Sequence, residues 1–201
     1  MRFRRPGRVQ LAVLALLAPF AGTAGAATFT VHRGGDTKVV FTSKAPTETF
    51  EGRTDFMEGR LALDPAVVGD SVTVHLEVDL ASLDTGKKLR NRHMRENHLE
   101  TSKYPKAIFD GATVLSPAGA KLEPGRTVTF EIEGTFALHG VSRRLRSMAE
   151  VTLAAGGASL TFVATFPVVL SDYSIRRPEF LFLKLAELQQ LRVSATASSA
   201  P

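Results

Sequence analysis

Between Ser82 and Phe109 the chain carries a charge-dense stretch, SLDTGKKLRNRHMRENHLETSKYPKAIF, which gathers His93, Glu96, His98 and Glu100. Imidazoles and carboxylates are the groups from which an acid–base pair or a metal site is built. Spacing argues against the metal. Ligands on one helix face stand three or four residues apart, whereas His93 and His98 are five apart and the H-E-x-x-H order is missing. The histidines therefore read as solvated or hydrogen-bonded, and neither a metal nor any other cofactor is expected. Asp172 and Tyr173, with His93 and Glu96, are the other groups that could move a proton, and each reads first as structural or solvated. The chain has no G-x-S-x-G elbow and no glycine-rich phosphate loop. It also has no cysteine, which excludes thiolate ligands and cysteine nucleophiles.

A helix has to position this stretch. Asp84 or Thr85 supplies a cap, the helix runs from Lys87 to about His98, and Tyr104-Pro105 ends the segment. Leu89, His93, Met94 and Leu99 give it a crude apolar stripe. Lys87, Lys88, Arg90, Arg92 and Arg95 put cations near its start, against the helix dipole, so packing on a larger body must hold it. Its expected role is to cover one end of that body.

The body is β. Val72, Val74, Leu76, Val78 and Leu80 alternate with polar residues, and so do Val128, Phe130, Ile132, Phe136 and Leu138. A strict two-residue period gives one wet and one dry face. Further strands are expected over Thr37–Ser43, Thr47–Asp55, Met57–Asp64, Lys106–Leu115, Arg143–Ala154, Ser159–Leu170 and Leu191–Ala197. Turn chemistry separates several of them, including His139-Gly140, which reads as a hairpin turn rather than a catalytic histidine. Eight or nine antiparallel strands hide their edges in a sandwich or a closed barrel, and long strands with short links favour the barrel. Phe50, Phe56, Phe130, Phe136, Phe162 and Phe166 fall at inward positions. They fit a packed core or the lining of a tunnel, and an eight-stranded barrel accommodates either.

The first 26 residues read as a secretory leader: Arg2, Arg4, Arg5 and Arg8, then an apolar run from Leu11 to Ala18, then small residues ending at Ala26. The run is shorter than the ~20 residues a spanning helix needs. Of the 25 Lys and Arg residues four lie in the leader, leaving 21 against 20 Asp and Glu, so the formal charge of +5 falls to +1 without it. No polyanion-binding field remains, and nucleic acid is not an expected partner. One domain over residues 27–201, in the periplasm or secreted, is the natural organisation.

Two separated motifs carry a family resemblance. The first is Ser82-Leu83-Asp84-Thr85-Gly86 with Arg90-Asn91-x-His93-Met94, Leu99-Glu100-Thr101 and Tyr104-Pro105-x-x-x-Phe109. The second is Gly134-Thr135-Phe136-x-Leu138-His139-Gly140-Val141 followed by Arg143-Arg144. Together they resemble the YceI-like family over about Phe29 to Ala197. Asp172-Tyr173-x-Ile175-x-Arg177-Pro178 is similar to one branch of it, rather than to the more common Arg-x-x-Phe-Gly ending. The resemblance implies an all-β, lipocalin-like antiparallel barrel of eight strands with a helix near one end. It also implies an interior that holds a polyisoprenoid, a quinone tail or a fatty-acid derivative.

An exported carrier or buffer of such a ligand is thus the leading expectation, with no catalysis. Phe41, Phe50, Phe56, Val74, Leu76, Phe109, Phe130, Ile132, Phe136, Phe162 and Phe166 are expected to line the barrel, and His93, Met94, Asp172 and Tyr173 to stand at its end. Peripheral contact with an anionic membrane through the basic helix face, and a monomer or homodimer, complete the expectation. The alternatives are a lipid- or quinone-modifying enzyme, and an envelope interaction module with a filled barrel.

Overall fold

The computed structural model describes residues 25–46, 48–69, 71–180 and 183–199. The leader expected over residues 1–26 falls almost wholly outside them, and so does Thr47 at the start of one expected strand. The strands are β1 (Ala27–Val31), β2 (Lys38–Lys44), β3 (Thr49–Thr54), β4 (Met57–Leu63), β5 (Ser71–Asp79) and β6 (Lys106–Ser116). They continue with β7 (Thr127–Leu138), β8 (Val141–Leu153), β9 (Ser159–Val169), β10 (Glu179–Phe180), β11 (Leu183–Lys184) and β12 (Leu188–Ser199). Strands read from the two-residue period agree with these bounds to within a few residues. β1 and the short β10–β11 ribbon are additions.

Eight strands close a ring in the order β1-β4-β5-β6-β7-β8-β9-β12, with β12 returning to β1 and every pair antiparallel. The β4-to-β9 stretch is the meander expected of sequential neighbours. The seam is less simple, because two strands share one edge of β12. Ala197–Ser199 pair with β1, whereas Gln190–Ser194 pair with β2. β2 carries β3 as a hairpin, and β3 is tied onward by a bridge between Arg53 and Asp84.

One end of the barrel is a closed floor. The loops after β4 and after β6 bond to each other, Val68 to Ala120 at 2.8 Å and Leu122 to Pro65 at 2.8 Å. They bury Val68 and Leu122. The residues after β5 cover the other end: a helix α1 (Lys88–His93) that widens into a single π turn over Met94–His98.

The expected cap is corrected. Lys87, with no capping side chain, stands at the helix N-terminus. Asp84 and Thr85 are instead knotted to Asn91 from inside the helix. The Thr85 amide and hydroxyl both donate to Asn91 Oδ1, at 2.8 and 2.6 Å, and Asn91 Nδ2 donates to Asp84. Arg95 adds a bond to the Leu83 carbonyl at 2.9 Å. So short a helix with cations at its start is not stable alone, and these tertiary bonds hold it.

Candidate ligand cavity

Inward positions along each strand differ in size from one end of the barrel to the other. Toward the floor, Phe109, Phe130 and Phe162 point inward and nearly fill the bore. Toward the helix the same strand faces continue with aliphatic residues: Val78 and Leu80, Leu138, Val168 and Leu170, Leu191 and Val193. A chamber of about 710 Å³ opens there, and only about 120 Å³ remains below it. The barrel is hollow at one end and plugged at the other. A volume of 710 Å³ lies within the range of sites that enclose a small organic ligand, whereas 120 Å³ lies below it.

The helix segment forms the roof. Leu89, Arg90, His93, Met94, His98 and Leu99 all face the chamber. Arg90 is fixed in place: its guanidinium lies 3.7 Å from the centre of the Phe50 ring and donates to Thr85 and to Glu48. Phe41 sits edge-on to Phe50 at 6.4 Å. Its ring has room only because its strand partner is Gly52, where an added Cβ would come within 2.2 Å of it.

His98 Nδ1 donates to the Arg176 carbonyl at 2.9 Å. Burial lowers the pKa of His98, partly offset by that bond, with the nearby charges of His93 and Arg176 lowering it further. The roof's histidine is therefore biased toward its neutral form. Of the five cations expected to form a basic face, Lys87 and Arg90 pair with Glu48, and Arg95 bonds the Leu83 carbonyl. Only Lys87 and Arg90 of the five form ion pairs among the described residues, and Leu89, between Lys88 and Arg92, is 58% exposed.

Of the residues expected to line the barrel, Phe41 and Phe50 face the chamber. Val74, Leu76, Phe109, Phe130, Ile132 and Phe162 face the lower void, and Phe136 and Phe166 face both. Phe56 is a correction. It is 44% exposed and lies under the Arg33 guanidinium, because β3 ends at Thr54 and the inward alternation stops with it.

Of the four residues placed at the barrel end, His93 and Met94 face the chamber. Asp172 is exposed and lends only its carbonyl, to Arg143. Tyr173 is buried behind the wall with its ring edge-on to Phe136 at 5.6 Å. Burial first, and the charge of Asp172 second, raise the Tyr173 pKa and keep the phenol neutral. No hydrogen bond joins His93 or Glu96 to Asp172 or Tyr173, so the proton-moving groups are scattered. Among the described residues no three histidine or acidic side chains group as a metal site.

Sequence reasoning picked the aromatics and passed over the aliphatic residues that make the chamber. The signal was available, since Leu138, Val168 and Leu170 share the parity of the inward phenylalanines. His139 lies in the expected turn and is also a junction. His139 and Gly140 both have positive φ, 52° and 76°, as a two-residue type I′ hairpin requires. The imidazole is buried against Tyr104, with Nε2 2.7 Å from the Glu100 carboxylate and Nδ1 donating to the Tyr173 carbonyl at 3.1 Å. It binds the segment after the helix, the β7–β8 hairpin and the loop after β9 into one collar around the chamber.

A closed antiparallel barrel with one roofed apolar chamber defines a lipocalin-like class of protein. Within it, this chain belongs to the YceI-like family, whose domain model, YceI-like domain, matches residues 27–197. Among solved structures it is similar to a polyisoprenoid binding domain from Saccharophagus degradans implicated in plant cell wall breakdown. That likeness has 19% identity and a TM-score of 0.66, covering 87% of this chain and 99% of that one. Burkholderia cenocepacia BcnA gives 23% identity and a TM-score of 0.65, covering 81% and 96%. A Campylobacter jejuni YceI protein gives 19% and 0.52, covering 72% and 81%. No curated protein matches the chain.

Proposed function

We propose that the protein is an exported carrier or buffer that takes a long apolar chain, such as a polyisoprenoid, a quinone tail or a fatty-acid derivative, into its upper chamber. One observation carries the proposal: about 710 Å³ of space walled by aliphatic and aromatic side chains beneath a roof fixed by hydrogen bonds. Burying each methylene contributes roughly 0.8 kcal/mol, so about a dozen carbons supply about 10 kcal/mol gross. Lost freedom offsets much of that, leaving affinity set by the hydrocarbon and needing no reacting group. The polyisoprenoid binding of the Saccharophagus domain supports the ligand class. The leader-like start of the chain supports export to the periplasm or beyond, and the dispersed proton-moving groups favour binding over turnover.

Native mass spectrometry of the protein from its own host, repeated after delipidation and reloading with polyprenols and fatty acids, tests the proposal. An adduct of hydrocarbon-chain mass is expected both times. Protein that arrives bare and takes up no chain would overturn it. A filled interaction module is disfavoured by the open chamber.

A further inference from the structure

The two voids meet at a narrow place. The 710 Å³ chamber and the 120 Å³ remnant share Val78, Ala107, Phe136, Phe166 and Val193 in their linings. At that level Phe136 on β7 and Phe166 on β9 project into the bore from either side of β8, ring centres 5.7 Å apart and planes at 67°. Edge-to-face rings at this separation attract. The buried Tyr173 ring packs edge-on against Phe136 at 5.6 Å, and its backbone is held by a bond from His139 to the Tyr173 carbonyl. Phe136 and Phe166 are only 6% and 7% exposed.

Below them, β7 runs six residues from Phe136 to Phe130, about 20 Å at ~3.3 Å per residue. Over that length the void amounts to only 120 Å³. A hydrocarbon tail entering from the roof therefore meets a braced aromatic bar about halfway down the cylinder.

We propose that the Phe136–Phe166 pair is a chain-length stop: it ends the bound tail in the upper chamber and so selects apolar chains of limited length. Carbons beyond the stop remain unburied and add nothing to affinity. This inference rests on the proposed function, and its test separates the failure of one from the failure of the other.

The experiment measures affinity by titration calorimetry for a series of linear isoprenoid alcohols: geraniol, farnesol, geranylgeraniol and a longer polyprenol. For chains too short to reach the stop, each further buried methylene raises affinity by up to about fourfold. With the native protein, affinity is expected to climb along the series and then level, further units changing it by less than about twofold. Phe166→Ala, which opens the bar, should move the level at least one isoprene unit longer. Phe166→Leu, which keeps the core filled if the alanine variant unfolds, should move it in the same direction. Phe162→Ala enlarges the lower void without touching the bar and should leave the level where it was.

If affinity climbs without levelling, or Phe162→Ala shifts the level as far as the Phe166 variants do, the stop is wrong while the carrier function stands. If no alcohol of any length binds, the function fails and the stop with it.

Discussion

At the scale of single residues, the roof is where chemistry and stability meet. His98 has its pKa depressed in the folded protein, chiefly by burial. Unfolding returns it to about 6.5, so the unfolded chain binds more protons in the window below that value. Its contribution is thus complete above about pH 6.5 and is lost as pH falls toward the folded value. His75, half-exposed on the outer face, has its pKa raised chiefly by its bond to Asp110, so its contribution runs oppositely, fading as pH rises. Urea unfolding at stepped pH should show the stability advantage of the native chain over His98→Gln shrinking on acidification. Parallel curves would refute the assignment.

Asn91 gives a second residue-scale prediction. Asn91→Ala strands the buried Thr85 amide and hydroxyl and should cost about 2 kcal/mol, read as a lower urea midpoint at unchanged slope. The residue types of this stretch were legible, but their roles were not. Asp84 and Thr85 look like a cap in one dimension, and only the fold turns Asn91 back onto them.

At the scale of elements, the strands were the most legible part of the chain, because a half-buried sheet imposes alternation along ten or so residues. Where a segment is short, that signal fails. β1 is five residues long, and β10 and β11 are two residues each. Phe56 shows the complementary error, since a periodicity extended past the end of β3 assigns a face that no strand maintains. The π turn over Met94–His98 has no local sequence signature.

The β7–β8 hairpin carries the element-scale prediction. Gly140→Ala forces a side chain into the left-handed region at φ +76° and brings its Cβ to 2.6 Å from the Tyr104 ring. Backbone strain alone costs about 1–2 kcal/mol. The melting temperature should fall, with amide exchange quickening around Glu100 and Tyr104 as the collar loosens. An unaltered melt would mean that the hairpin tolerates the added methyl.

At the scale of the molecule, the barrel was foreseeable but its uneven filling was not. Residue parity tells which side chains point inward; it does not tell how large residues from eight strands stack by level. Phe130 and Phe162 are far apart in sequence and come together in the lower bore only once strand register is fixed, with Phe109 paired to Phe136 above them. The corresponding prediction fills the space left above them. Val168→Trp, at a wall position 3% exposed, should weaken chain binding by at least about tenfold, about 1.4 kcal/mol. The far-ultraviolet dichroism should keep its β signature. Met148→Trp, on the outer wall at 52% exposure, serves as the matched control and should bind as before. Equal binding by both would show that the chamber is not where the ligand goes.

The seam at β12 has a practical corollary. Ala27 pairs beside Leu63, and Ser199 pairs beside Phe29, so both ends of the folded body lie at the floor. Anything grafted there, whether a dye, a purification handle or a link to a solid support, hangs from the sealed base. The roofed chamber at the other end is left pointing away from the surface.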